Sequence, residues 1–189
     1  MRRKLALVAS LAFVMVVASG CGYNTIQTLD ERVNRAQGDV QVALQRRADL
    51  IPNLVETVKG ITRQEDTIFI SIANARARLA GAVDQGNIGE MAAANGALTA
   101  GLGRLLAIAE NYPELRSSEN FQMLQTQLEG TENRISVARQ DYNEAVNEFN
   151  AFIRRFPYNI TAKIFGRGDA REYFEADAAA TAVPQVNFE

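Results

Sequence analysis

The chain has 189 residues, 47% of them hydrophobic and 22% charged, with one cysteine, no tryptophan and no histidine. The missing imidazole excludes Ser-His-Asp triads, HExxH zinc sites and the Glu-x-x-His pattern of di-iron bundles, and a lone thiol excludes an internal disulfide. The formal net charge of −2 becomes −5 when residues 1–20 are set aside, because that segment holds Arg2, Arg3 and Lys4 and no acid; no nucleic-acid partner is expected.

Met1-Arg2-Arg3-Lys4 is a basic head, and Leu5 to Ala18 follows without a charge. That run is shorter than the roughly 20 residues a bilayer-spanning helix needs and has the form of an export signal. Ala18-Ser19-Gly20-Cys21 resembles the lipobox of bacterial lipoproteins. The resemblance implies cleavage before Cys21, acylation of its thiol and a mature chain tethered to a membrane. Residues 1–20 are thus read as signal, 21–24 as tether, 25–158 as a helical domain and 159–189 as an extension and tail.

The first helix of that domain carries Ile26, Leu29, Val33, Ala36, Val40 and Ala43 at helical spacing, after which the apolar seam shifts to Leu44, Ile51, Val55 and Val58. Pro52 withholds a donor from the Ala48 carbonyl and is expected to kink or restart the helix. Gly60 is expected to end it. A second helix from about Arg63 to Val83 presents Ile68, Ile72, Ala75 and Leu79; a third from about Glu90 to Ala109 presents Met91, Leu98, Leu102, Leu105 and Ile108. From Phe121 the seam Leu124, Leu128, Thr131, Ile135, Ala138, Tyr142, Ala145, Phe149, Phe152, Phe156 predicts one long last helix stopped by Pro157. No segment reads as a strand. The fold class is all-α, an antiparallel four-helix bundle with two long outer helices and a C-terminal extension.

RRADLIPNLVETVKG at 46–60, LLAIAENYPEL at 105–115, and NFQMLQTQLEGTENRISVARQDYNEAVNEFN at 120–150 with Phe156-Pro157 resemble the signature segments of LemA family proteins. The resemblance spans the chain after its signal and implies a helical bundle held at the bacterial membrane. It brings no catalytic activity, and it implies protein partners in the envelope, of the kind that serve membrane proteolysis or protein quality control. A lipobox in place of the usual apolar anchor is a departure in attachment. The expected function is a non-enzymatic interaction or scaffolding module with no cofactor; membrane remodelling by self-assembly, as a homo-oligomer, is the alternative. Gly22 rather than aspartate after the cysteine favours the outer membrane in a two-membrane host.

Two features stand out once helix-surface carboxylates such as Glu129 and Glu132, the Gly101-x-Gly103 pair and the Arg167-Gly168-Asp169 tripeptide are set aside. Arg47 falls at the middle of the apolar face formed by Leu50, Ile51, Leu54, Val55, Val58 and Ile61, and antiparallel alignment of the long helices places it opposite Glu132. The pair reads either as a polar site inside the bundle or as a buried contact that fixes register. The second feature is the C-terminal side of the last helix. Residues 154–171 carry Arg154, Arg155, Lys163, Arg167 and Arg171 against Asp169 alone, and eight of the 14 aromatics lie within 149–189. Phe152, Phe156, Tyr158 and Phe165 with these cations read either as a surface for lipid headgroups or as a cap over the bundle end.

Overall fold

The computed structural model describes the backbone of residues 2–60 and 66–175 and the side chains of 22–60 and 66–175. All regular structure among these residues is helical: α1 (Arg2–Lys59), α2 (Asp66–Gln85), α3 (Ile88–Ala109), α4 (Pro113–Arg116), α5 (Glu119–Arg154) and α6 (Tyr158–Ile164). The class is all-α, as the periodicity requires. The helices number six among the described residues rather than four. The two additions, α4 and α6, hold 4 and 7 residues, too few for a 3.6-residue pattern to register, and each follows or begins with a proline. The side chains of residues 1–21, Cys21 included, Ile61 and the tail from residue 176 lie outside the described residues.

α1 runs unbroken from Arg2 to Lys59, through the residues read as signal and tether, and carries Pro52 inside it. The carbonyl that Pro52 leaves free, that of Ala48, accepts from the Arg76 side chain. Along the described part of α1, from Gly22 onward, the buried side chains are Ile26, Asp30, Val33, Ala36, Val40, Leu44, Arg47, Ala48, Ile51, Leu54 and Val58. The shift of the seam after Val40 is therefore present, whereas Leu29, Ala43 and Val55 are half-buried.

The seam of α5 follows the expected positions from Phe121 to Tyr142 and then departs from them. Val146, Phe149 and Ile153 are buried, Ala145 and Phe152 are half-buried, and Phe156 is 80% exposed. A straight helix drifts about 20° per heptad from a strict seven-residue repeat. After three heptads the core face moves on by one position, through the successive four-residue steps Ala138, Tyr142 and Val146.

Two compact units are present. Among the described residues, one lies within 37–140 and 173–175, the other within 2–36 and 141–172. In the first, α2 and α3 pack against each other, and Ile72, Leu79, Leu98, Leu102 and Leu105 on them are buried. By length and composition α3 would span a membrane, but these buried leucines make it a core helix. Gly86, at φ 67°, terminates α2: Asn87 N–H bonds to Ala82 O at 3.1 Å and Gly86 N–H to Val83 O at 3.1 Å, a Schellman ending that L side chains adopt poorly. Asn87 then caps α3 by accepting from Glu90 N–H at 3.0 Å. Gln37 and Gln41 of α1 donate to the Gly86 and Val83 carbonyls at 2.9 and 3.2 Å, so this turn has its exposed acceptors satisfied. In the second unit the buried side chains among the described residues are Ile26, Asp30, Val33 and Ala36 of α1, Tyr142, Val146, Phe149, Asn150 and Ile153 of α5, and Thr161 and Ala162 of α6.

Candidate functional site

The unit built from residues 1–36 and 141–172 carries the C-terminal cluster. Past Arg154 the chain turns through Phe156-Pro157 into α6, which buries Thr161 and Ala162 and exposes the opposite face. Gly166, at φ 68°, ends α6 in a second Schellman arrangement, with Arg167 N–H on Ala162 O at 2.7 Å. The segment that follows is fastened to α5 by Asn150, whose amide bridges both sides of Arg171. Asn150 Nδ2 donates to Arg171 O at 2.9 Å, and Arg171 N–H donates to Asn150 Oδ1 at 2.8 Å. Tyr142 O–H adds a bond of 2.8 Å to Glu172 O. Burial raises the Tyr142 phenol pKa above its ordinary value; Arg171 opposes this rise and Glu172 adds to it.

Beneath this segment lies Asp30, a carboxylate 1% exposed. Arg167 Nη1 sits 2.8 Å from Oδ2, and Arg171 Nη2 sits 2.5 Å from Oδ1 with Nε at 3.2 Å. One guanidinium thus occupies each carboxylate oxygen. A buried charge needs such partners, since desolvation otherwise drives it out of its ionised form. Asp30 escapes a reading of the sequence because an acid on a helix counts there as solvent-facing. The detectable signal was its place between Ile26 and Val33, on the buried stripe of α1.

Of the residues the sequence groups at this end, the structure therefore divides five cations. Arg167 and Arg171 hold Asp30. Arg154, Arg155 and Lys163 are exposed, and no salt bridge engages them among the described residues. The aromatics divide as well. Phe152 stacks on Tyr158 with ring centroids 4.4 Å apart, Phe165 meets Tyr23 of α1 at 4.6 Å, and Phe156 makes no ring pair among the described residues. Ile160 and Ile164, which the sequence reading passes over, are 51% and 73% exposed beside them. Their four-residue spacing after Pro157 was the available signal.

In the other unit, Arg47 is 3% exposed, with Nη1 2.6 Å from Glu132 Oε2 and 2.8 Å from Asn95 Oδ1. Glu132 is half-exposed at 51%, so the contact is buried at its arginine end only. Asn95, a third member, lies on α3 and had no periodic signal to announce it. Desolvation lowers the Arg47 pKa, and the Glu132 carboxylate offsets part of that. Arg47 Nε has no hydrogen-bond partner among the described residues. No group of three or more His, Cys, Asp or Glu side chains that could hold a metal occurs among the described residues, and neither cluster pairs a nucleophile with a base.

The model of the LemA family matches residues 36–188. The chain belongs to the LemA family. Two magnetosome proteins of Paramagnetospirillum magneticum, MamQ 1 and MamQ 2, are each 30% identical to it over 198 residues, spanning 93% of this chain and 71% of theirs. The magnetosome protein MamQ of Magnetospirillum gryphiswaldense is 28% identical over 189 residues, spanning 87% of this chain and 70% of its own length. Neither the LemA family description nor these names is that of an enzyme. The family match includes both members of the Arg47–Glu132 pair and all of α6, whereas Asp30 lies before its first matched residue.

Proposed function

We propose that this LemA protein is a membrane-associated, non-catalytic interaction or scaffolding module of the cell envelope, tethered at its N-terminus through acylated Cys21 once residues 1–20 are removed. Its partner is an envelope or membrane protein, in the setting of membrane proteolysis or protein quality control. The observation that carries this reading is the course of α1. The apolar stretch Leu5–Ala18 and the side chains buried from Ile26 onward belong to one helix. With cleavage or without it, the tether enters the fold at Gly22, directly on a packed element, so the folded part is held close to whatever holds the N-terminus. The MamQ relatives, named for a cell structure rather than a reaction, agree with a role of this kind.

The test is intact-mass analysis and cell fractionation of the wild type and Cys21→Ser. The wild type is expected in the membrane fraction, beginning at Cys21 and carrying acyl chains. Cys21→Ser is expected to remain uncleaved or to become soluble. A mature chain that begins at Cys21 without acyl groups removes the lipid anchor from this reading. A stoichiometric pull-down of one membrane protein supports the interaction role, whereas concentration-dependent assembly that deforms vesicles replaces it with membrane remodelling.

A further inference from the structure

α6 and the residues that flank it do what a protein surface ordinarily avoids. Phe156, Ile160, Ile164 and Phe165 are 80%, 51%, 73% and 53% exposed within a stretch of ten residues. Single exposed apolar residues need no explanation, but a contiguous group marks a contact surface. The same stretch holds Arg154, Arg155 and Lys163, exposed and without salt bridges among the described residues, on a chain whose net charge past residue 20 is −5. The two arginines that could have widened the basic rim, Arg167 and Arg171, are turned onto Asp30. The stretch thus combines exposed apolar side chains with exposed cations.

Its place in the unit is equally specific. A Cβ on Gly22 would stand 2.6 Å from Tyr158 Cδ1, so the backbone immediately after Cys21 lies against the first residue of α6. The neighbouring Tyr23 ring packs on Phe165, the residue just past the end of α6. Both ends of α6 are thus in contact with the point where the N-terminal segment enters the fold.

We propose that the face formed by Phe156, Ile160, Ile164 and Phe165, rimmed by Arg154, Arg155 and Lys163, seats in the headgroup layer of an anionic bilayer. This rests on the membrane tether proposed above. Apolar burial at the interface and attraction of cations to anionic lipid act together in such contacts. The tether supplies the proximity that makes a small face sufficient, because a tethered contact forms at a high effective concentration. Lipid is the occupant favoured over a protein because the cationic rim complements anionic headgroups and the face adjoins the residue after the lipid-bearing cysteine.

The chain contains no tryptophan, so a single indole reports from one place. The full-length protein bearing Ile164→Trp would be reconstituted into vesicles of phosphatidylcholine alone or mixed with phosphatidylglycerol, each doped with brominated lipid as a quencher. Glu144→Trp serves as the comparison, since Glu144 is exposed on α5 ten residues before Arg154, about 15 Å along a helix axis. Quenching is expected to be several-fold stronger for Ile164→Trp than for Glu144→Trp in the anionic vesicles. It is expected to fall at high salt and when Arg154, Arg155 and Lys163 are all replaced by glutamine. Ile160→Trp is expected to repeat the result if Ile164→Trp perturbs the helix content. Equal quenching at Ile164→Trp and Glu144→Trp overturns the proposal, and so does equal quenching in neutral and anionic vesicles. An indole that lipid leaves unquenched, together with capture of one protein in cells by a photoreactive residue placed at position 164, overturns it in favour of a protein occupant. Co-sedimentation of the same samples separates the two claims. Protein that leaves the vesicles refutes the tether, whereas protein held by the vesicles with an unquenched indole refutes the docking face alone.

Discussion

Arg76 of α2 donates its Nε–H to the carbonyl of Ala48 on α1 at 2.8 Å. That carbonyl is the one Pro52, four residues on, cannot reach, because proline has no N–H to give. A residue from a neighbouring helix therefore replaces the missing rung, and α1 runs on through the proline to Lys59. The arginine is bound to a main-chain acceptor whose availability the proline creates, so the two positions are coupled although neither side chain bonds to the other.

This coupling is measurable. Arg76→Met is expected to destabilise the wild-type protein by about 1–2 kcal/mol, the range for leaving a buried acceptor unpaired. In a Pro52→Ala background the alanine amide supplies the helical bond, and the same substitution is expected to cost less than about 0.5 kcal/mol. Urea unfolding of the four proteins of this double-mutant cycle checks it; strictly additive effects would show that Arg76 does not serve the vacancy at Pro52.

Arg47→Ala is expected to cost about 2–4 kcal/mol, through a cavity among α1 side chains and the loss of bonds to Glu132 and Asn95. Arg47→Met fills the same space with apolar atoms and is expected to cost less, since half-exposed Glu132 then turns to water. Glu132→Ala leaves the guanidinium buried with Asn95 alone, and the double variant Arg47→Met with Glu132→Leu is expected to regain most of that loss. Thermal unfolding read by circular dichroism orders the four variants.

Asp30→Asn removes the charge that Arg167 and Arg171 share. Because both arginines are partly exposed, at 40% and 33%, the expected loss is held to about 2–3 kcal/mol, below that of a fully buried pair. The segment after α6 should open before the helices do. Limited trypsin digestion is expected to cut after Arg167 or Arg171 well before any other site, and an unchanged digestion pattern would refute this.

Burial keeps the Tyr142 phenol protonated in the folded state to a higher pH than its ordinary value of 10.0. A raised folded pKa contributes stability that is complete below the unfolded value and disappears as pH rises through the folded one. Stability is therefore expected to decline above about pH 10. Tyr142→Phe should flatten that alkaline decline while lowering stability at neutral pH by about 1 kcal/mol, through loss of the bond to Glu172 O. Denaturant midpoints of both proteins at neutral and alkaline pH test the sign.

Much of this molecule is written locally. The heptad seam from Phe121 to Tyr142, the shift of the α1 seam after Val40, the proline and glycine stops and the absence of histidine determine an all-α chain without imidazole chemistry. They do so because helical periodicity and backbone restriction act over a few residues. The register of Arg47 with Glu132 could also be stated from the sequence, since alignment of two long helices makes one number predict another. Asn95 beside Arg47, Arg76 beneath Pro52, and the capture of Arg167 and Arg171 by Asp30 could not. Asp30 and Arg171 are 141 residues apart. Sequence reading assigns each of these polar residues to solvent by default, and only folding decides which of them lose water and must find a partner. The same decision, by drawing two arginines inward, determines which cations remain around the exposed face of α6.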